Sequence, residues 1–238
     1  MASRVSTLAK KRTTATKKRL TNGKAKVDKT PVKKKESEIK LKPMTVGTIE
    51  FTIAGDTPLI CHQFSEKAKE MMRQKAEGRK TKDREPRDPE REGEEATYYT
   101  SDGRDGIPGL AIKAAMIEAA HKDLGIEKVL VRKAIHIIIE DDKTGVIPID
   151  YDSKEVKEDT VIIGRGTADL RYRPYYYGWS VRVKFRVDWD LLQQSDIVAL
   201  VDRAGFGVGL CEWRPQKGGQ HGTFKVDNSE PIDVQGLE

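Results

Sequence analysis

The sequence has little of what marks secreted, membrane-spanning or disulfide-rich proteins. It contains only 2 cysteines among 238 residues, which excludes a disulfide framework and favours a reducing compartment. No apolar run approaches the roughly 18 residues that a membrane-spanning helix needs. The N-terminal region also lacks the apolar segment of a secretory signal. We therefore expect a cytoplasmic protein that does not enter a membrane.

Motifs for catalysis and for cofactor binding are also lacking. The 4 histidines share no metal-ligand spacing with one another or with the cysteines. The chain has no Gly-Lys-Ser/Thr sequence, and Gly205 follows a predicted helix rather than a strand, so neither a Walker loop nor a Rossmann fingerprint is present. No carboxylate pair is marked as an acid and a base. The sequence predicts a protein that is not an enzyme and that needs no cofactor or metal.

Positive charge is concentrated at the N-terminus. Residues 1–45 contain 15 Lys or Arg and 3 acidic residues, a net charge of +12, so the remainder of the chain carries −6. This segment is rich in Lys, Thr, Ser and Ala and has no aromatic residue, which predicts a disordered basic tail. It is interpreted either as an arm that neutralises phosphates or as a solubilising tail. A transit peptide is a third interpretation.

Hydrophobic periodicity predicts a single α+β domain over residues 46–228. The domain would be interrupted by a charged insertion at 78–96 and an irregular insertion at 140–176, and followed by a C-terminal tail at 229–238. Without insertions, the order strand, helix, strand, strand, helix, strand is that of a ferredoxin-like (βαββαβ) fold, with an antiparallel sheet and both helices on one face. The predicted strands are 47–54, 129–139, 179–187 and 223–226, and the predicted helices are 64–77, 108–125 and 190–204.

The second face of such a sheet would be free, and the predicted strands place mostly basic side chains on it. This face is interpreted either as a binding surface or as an ordinary solvated face. The RNA-recognition module uses the same arrangement but has aromatic residues for base stacking, which this face lacks. The residues expected there are Thr48, Glu50, Arg132, His136, Arg182, Lys184, Arg186 and Lys225.

The densest functional pattern is the aromatic-arginine segment, residues 164–179. Guanidinium groups bind phosphates and aromatic rings stack on bases, the combination that suits a protein holding single strands without reading sequence. The alternative is a tyrosine-rich edge strand whose rings cover the core while its arginines face water. The segment contains Arg165, Arg171 and Arg173 among Tyr172, Tyr175, Tyr176, Tyr177 and Trp179.

A second candidate is the glycine-rich stretch at residues 204–226. Its glycines, among them Gly218 and Gly219, permit close backbone approach, and Arg214 and Lys217 supply donors. Trp213 is a candidate for base stacking. The alternative interpretation is a helix end followed by a hairpin turn.

Three motifs resemble the RAMP superfamily. They are Thr-Pro-Leu-Ile at 57–60, Ile-Pro-Gly with a following Lys-Ala helix at 107–115, and the late glycine-rich Trp-Arg loop at 205–222. The string that includes 164–169 and 210–215 is also similar to a family found in tailed-phage genomes. The resemblance implies ferredoxin-like domains, like those that form the helical backbone of some CRISPR effector complexes, repeated along single-stranded nucleic acid with the glycine-rich loop near the strand.

The resulting hypothesis is a non-enzymatic protein that coats single-stranded DNA or RNA as a homo-oligomer or filament. It would act in replication, recombination or a CRISPR-like complex, in the host cytoplasm if the chain is phage-encoded. One alternative is a phage structural or assembly protein whose aromatic-arginine segment is a subunit interface. Another is an RNA-processing nuclease that uses His136 or His221. The predicted nucleic-acid-binding residues are Arg165, Arg171, Tyr172, Arg173, Tyr175, Arg182, Lys184, Arg186, Trp213, Arg214, Lys217, Gly218 and Gly219.

Overall fold

The computed structural model describes residues 42–79, 86–163 and 166–236. Most of the predicted basic tail and the predicted site residue Arg165 lie outside these ranges. The described strands are β1 Val46–Gly55, β2 Leu59–Ile60, β3 Tyr98–Tyr99, β4 Asp105–Pro108, β5 Ile135–Ile138, β6 Val146–Pro148, β7 Ser153–Ile163, β8 Thr167–Tyr177, β9 Ser180–Asp188, β10 Phe224–Val226 and β11 Asp233–Gln235. The described helices are α1 Glu66–Ala76, α2 Pro89–Glu95, α3 Gly109–Asp123, α4 Lys128–Ala134 and α5 Gln194–Gly207.

The central sheet has the strand order β10–β1–β9–β5, and its neighbouring strands are antiparallel. Strand β11 also pairs with β1. The alternating apolar residues of β1 and β9, such as Phe51 and Phe185, point into one core. Apolar residues of α3 and α5, among them Met116 and Leu200, fill the same core. The prediction of a mixed α+β chain with antiparallel sheets is confirmed.

Two smaller sheets lie outside the central one. One has the order β2–β8–β7, and the other has the order β3–β4–β6. Strands β7 and β8 form a long hairpin whose pairing runs from Ser153 opposite Tyr177 to Ile163 opposite Thr167. The prediction of an irregular insertion at 140–176 is therefore wrong. Its strands were missed because charged residues occur on both faces of β7, so the sequence lacks the apolar-polar alternation of a half-buried strand.

The predicted strand at 129–139 is correct only in its second half. Residues 128–134 form α4, in which Val131 and Ala134 are buried at helical spacing and Val129 is exposed. Short apolar runs do not distinguish a helix from a strand, and the β-branched residues favoured the wrong choice. As a consequence, Arg132 lies on a helix and not on the free face of the sheet.

The segments predicted as a charged insertion and as a C-terminal tail both contain regular elements. Helix α2 lies within the charged segment, and the side chain of Asp88 caps it by accepting a hydrogen bond of 3.2 Å from the Arg91 amide. Strand β11 lies in the predicted C-terminal tail. The side chain of Ser65 caps α1, because its hydroxyl accepts a hydrogen bond from the Ala68 amide at 3.1 Å. Among the described helices, none has both the length and the apolar character needed to cross a membrane.

A glycine in α5 permits the close packing of this helix on β10. A Cβ atom at Gly205 would lie 1.8 Å from the carbonyl oxygen of Phe224. We expect Gly205→Ala to lower the free energy of unfolding by about 3 kcal/mol, because backbone atoms would have to move apart. Urea unfolding measures the loss. The control is Phe206→Ala, which changes a side chain that is 81% exposed and should stay within about 0.5 kcal/mol of the wild type. Equal stabilities of the two variants would contradict this packing.

Candidate nucleic-acid interface

The β7–β8 hairpin and the glycine-rich loop, residues 208–222, lie against each other. The Glu212 amide donates to the carbonyl of Ile60 at 3.0 Å, and the Gly222 amide donates to the carbonyl of Pro58 at 2.9 Å. Strand β2 is therefore held by the loop on one side, and it pairs with β8 through Ile60 opposite Tyr175. The two segments that the sequence marked separately as binding motifs are thus neighbours in the fold.

At the centre of this contact, Arg173 and Tyr175 are buried rather than available to a ligand. Their exposed fractions are 1% and 6%. Both side chains donate to the buried carboxylate of Asp159 on β7, Arg173 through Nε at 2.7 Å and Tyr175 through its hydroxyl at 2.8 Å. Burial and this hydrogen bond raise the pKa of Tyr175. The predicted roles of Arg173 in phosphate binding and Tyr175 in stacking are wrong, because both groups are used to bury a charge pair.

Trp213 covers the buried arginine from the loop side. The guanidinium of Arg173 lies 4.7 Å from the centre of the indole ring, a cation–π contact. The ring of His221 lies 6.1 Å from the indole, with the two planes 30° apart. Trp213 has φ of 49°, a strained value for a residue with a large side chain, and remains 38% exposed. The loop therefore presents an aromatic ring that is supported on one side and accessible to solvent.

The glycine next to this ring has a structural role. A Cβ at Gly219 would lie 1.7 Å from the Trp213 carbonyl oxygen, so the backbone approach predicted for a ligand is made to Trp213 itself. At Gly218 the space is open. The preceding residue, Lys217, ends a 3₁₀ helix over Pro215–Lys217 and is exposed.

The other predicted donor of the loop, Arg214, already makes hydrogen bonds within the loop. Arg214 donates through Nη1 to the carbonyl of Cys211 at 2.7 Å and through Nε to Gln216 at 3.2 Å. It is half-buried. Nη2 also donates to Gln216, at 3.1 Å, so the loop fixes the orientation of the guanidinium of a residue that is only partly exposed.

Near the middle of the hairpin, Arg171 and Tyr172 line a groove with a volume of about 500 Å³, together with His62, Phe64 and residues of α1 and α2. Arg171 lies 3.6 Å from Asp169, and Tyr172 donates to Glu158 at 2.6 Å. Both side chains are half-buried. Of these two predicted residues, Arg171 is the one that can still offer charge to a ligand, since its contact with Asp169 is long.

Burial lowers the pKa of His62, and the nearby charge of Arg171 acts in the same direction. The imidazole is therefore kept neutral next to the arginine.

Part of the positive charge on the basic face of the central sheet is neutralised. Glu50 on β1 accepts from Arg182 at 2.6 Å and from Lys184 at 3.0 Å. These two contacts hold the pKa of Glu50 below its usual value, so it remains charged. Arg186 is exposed, opposite His136 and beside β1, and belongs to the same sheet.

The predicted binding arginines are divided between two sheets. Arg182, Lys184 and Arg186 lie in the central sheet, whereas Arg171 and Arg173 lie in the hairpin sheet. Another residue expected on the sheet face, Lys225, pairs with Asp56 at 2.8 Å. Of the predicted cations, Arg214 and Lys217 lie in the same loop as Trp213, and Arg171 lies in the hairpin.

Sequence reasoning missed Asp159 and Glu50, which decide the roles of the neighbouring arginines. Asp159 lies in a run of mixed charges that carries no local signal. Glu50 lies among alternating strand residues and was expected on the face, but not as the partner of two cations. Among the described residues, no group of three His, Cys, Asp or Glu side chains is placed to hold a metal ion.

Comparison with models of protein families gives no match, and comparison with curated proteins gives none. Among solved structures, the chain is similar to one in the cryo-EM structure of the Type III-B Cmr-beta bound to cognate target RNA, with a TM-score of 0.42, 8% identity, and coverage of 80% of this chain and 61% of that chain. It is also similar to the crystal structure of Cmr6 from Pyrococcus furiosus, with a TM-score of 0.37, 10% identity, and coverage of 78% and 100%. The chain thus spans less than two thirds of the Cmr-beta chain.

The buried charge pair makes a testable contribution to stability. Asp159→Asn keeps the size of the side chain but removes the close partner of the buried Arg173 charge and leaves only Glu212, at 3.8 Å. We expect the free energy of unfolding in urea to fall by about 3 kcal/mol. Replacing both residues, as Asp159→Leu with Arg173→Met, should recover much of the lost free energy of unfolding.

The matched control for this experiment is Glu50→Gln. This change also removes a carboxylate that pairs with cations, but the partners Arg182 and Lys184 are solvated, so a much smaller loss is expected. A loss as large as that of Asp159→Asn would contradict the role given to the buried pair.

Proposed function

We propose that this protein is a non-enzymatic, single-stranded nucleic-acid-binding protein, and that the strand lies where the glycine-rich loop meets the β7–β8 hairpin. The scaffold proposed for this surface is a ferredoxin-like domain. The chain order β1, α3, β5, β9, α5, β10 and the strand order of the central sheet support that topology.

The observation that carries the proposal is the environment of Trp213. Stacking on an aromatic ring tolerates any base, since every base has a π face, and is strongest when the ring is fixed beforehand. The Trp213 ring is fixed by Arg173 behind it, and Asp159 in turn holds Arg173. Backbone strain of the kind found at Trp213 is concentrated at functional sites. Such a ring suits base stacking better than it suits core packing, because more than a third of it is exposed.

Cationic residues come both before and after Trp213 in the sequence. Lys217 is exposed on the loop, Arg214 is oriented by the loop backbone, and Arg171 lies on the hairpin. These groups would neutralise phosphates of a strand whose base stacks on Trp213. The basic segment 1–45, with its net charge of +12, would add attraction that depends on salt but not on sequence. Several copies binding side by side on one strand would form the coat.

A second candidate function is assembly through protein contacts, as in a phage structural protein. It is favoured by two exposed apolar side chains, Ile162 with 77% and Phe206 with 81% exposure. Gel filtration after nuclease treatment separates the two functions. An assembly that keeps its size without nucleic acid would favour protein contacts, and one that dissociates would favour coating.

The stacking role predicts a specific loss of affinity. Trp213→Ala should weaken binding of a labelled single-stranded oligonucleotide about 5- to 150-fold, the equivalent of about 1–3 kcal/mol for one stacked base. Trp213→Phe should retain most of the affinity. Fluorescence anisotropy at moderate salt measures both. Phe206→Ala removes an exposed ring on α5 and should change nothing. If Trp213→Ala binds like the wild type, the stacking site is wrongly assigned.

The charge assignment predicts a difference in salt dependence. Lys217→Ala should reduce the slope of log affinity against log salt by about 0.7, the value for one phosphate contact on a single strand. Arg182→Ala should leave the slope unchanged, because Arg182 is paired with Glu50. The measurement is a salt titration of the same anisotropy signal. A larger effect of Arg182→Ala than of Lys217→Ala would move the binding surface to the central sheet.

A further inference from the structure

The only two cysteines of the chain meet in the fold. Cys61 follows β2 and Cys211 lies in the glycine-rich loop, 150 positions later, and their Sγ atoms are 3.8 Å apart. Both are free thiols. The fold thus brings together two thiols that are far apart in the sequence. They can react with each other at the junction of the loop and β2.

The backbone around this pair is already joined. The Glu212 amide donates to the carbonyl of Ile60 at 3.0 Å, so the residues next to the two cysteines are hydrogen-bonded neighbours. On its other side, the Cys61 amide donates to Pro174 at 3.2 Å. A disulfide requires an S–S distance of about 2 Å and Cα atoms within about 7 Å of each other. Residues next to such a backbone hydrogen bond meet the second requirement, and side-chain rotation with a small shift of the loop would meet the first.

The two thiols differ in access. Cys61 is completely buried, whereas Cys211 is half-buried and has φ of 60°. A dissolved reagent would therefore reach Cys211 first. The thiol of Cys211 and burial raise the pKa of Cys61 well above its usual value, so the second step would be slow at neutral pH and faster at higher pH.

We propose that Cys61 and Cys211 are a site of reversible disulfide formation that ties the glycine-rich loop to β2. The oxidant is a low-molecular-weight disulfide such as oxidised glutathione. Cys211 attacks it and forms a mixed disulfide, with release of one glutathione thiol. Cys61 then attacks the Cys211 sulfur and displaces the second. The protein loses two thiol hydrogens and two electrons, and the reagent gains them as two thiols.

The bond would act on the part of the loop that leads into Trp213. It would fix the loop two residues before that ring and would close a covalent loop of 150 residues in the unfolded chain. The oxidised protein should therefore be more resistant to heat than the reduced protein, with a melting temperature higher by on the order of 10 °C. This inference goes beyond nucleic-acid binding, and its readouts do not involve a nucleic acid.

The test uses the full-length purified protein equilibrated with reduced and oxidised glutathione in varied ratios. Thiol titration after denaturation should show both cysteines lost together, and mass spectrometry should show a mass lower by two hydrogens. Proteolysis should release a linked pair of peptides that contain Cys61 and Cys211. Addition of dithiothreitol should restore both thiols and the lower melting temperature.

The control variant is Cys211→Ser, which changes the more exposed cysteine and should fold. It should keep one thiol, form no internal link and melt at the same temperature in both redox buffers. Stable attachment of glutathione to the wild type, disulfide-linked dimers, or two thiols that persist under the most oxidising buffer would each overturn the proposal. A melting temperature that does not differ between the oxidised and reduced wild type would overturn the tethering of the loop.

Discussion

The ion pair between Arg173 and Asp159 is the interaction on which the arrangement of the candidate site depends. A guanidinium that is 1% exposed has lost almost all of its hydration, and only a carboxylate with good geometry offsets that cost. The partner comes from the adjacent strand of the hairpin, and the Tyr175 hydroxyl donates to the carboxylate's other oxygen. Trp213 then covers the guanidinium from the loop. One buried charge thus joins two strands and the glycine-rich loop.

This constraint reduces the surface that is left for a ligand. Arg173 and Tyr175 support the site from within and do not contact solvent. On the central sheet, Arg182 and Lys184 share Glu50, and Arg182 also lies 3.9 Å from Glu230, so part of their charge is compensated. A binding surface built from what remains is compact, with one fixed ring and a few cations around it, instead of a broad basic track.

The glycine-rich loop contains both the exposed ring of Trp213 and one of the two cysteines. Its backbone is held to β2 by hydrogen bonds and presents Trp213, while the thiol of Cys211 lies against Cys61 in the same contact. A disulfide between Cys61 and Cys211 would act most directly on the backbone that orients the Trp213 ring. The proposed presentation of an aromatic group and the proposed disulfide therefore involve the same junction of the loop with β2.

The sequence by itself determined the elements whose residues face a single core. Strands β1 and β9 and helices α3 and α5 follow from apolar spacing, because burial on one face imposes a period of two or of about 3.6. Strand β7 could not be found in this way, since charged residues occur on both of its faces. Helix α4 could not be distinguished from a strand because a short apolar run fits both.

The tertiary structure alone decided which arginines are buried and which remain available. The aromatic-arginine segment contains the right residue types, but whether a guanidinium faces water depends on Asp159, which lies 14 positions before Arg173, and on Trp213, which lies 40 positions after it. Solvation of a charge is set by every group that surrounds it, and those groups are brought together only when distant segments pack. Residue types are properties of the chain, but their exposure and their partners are properties of the fold.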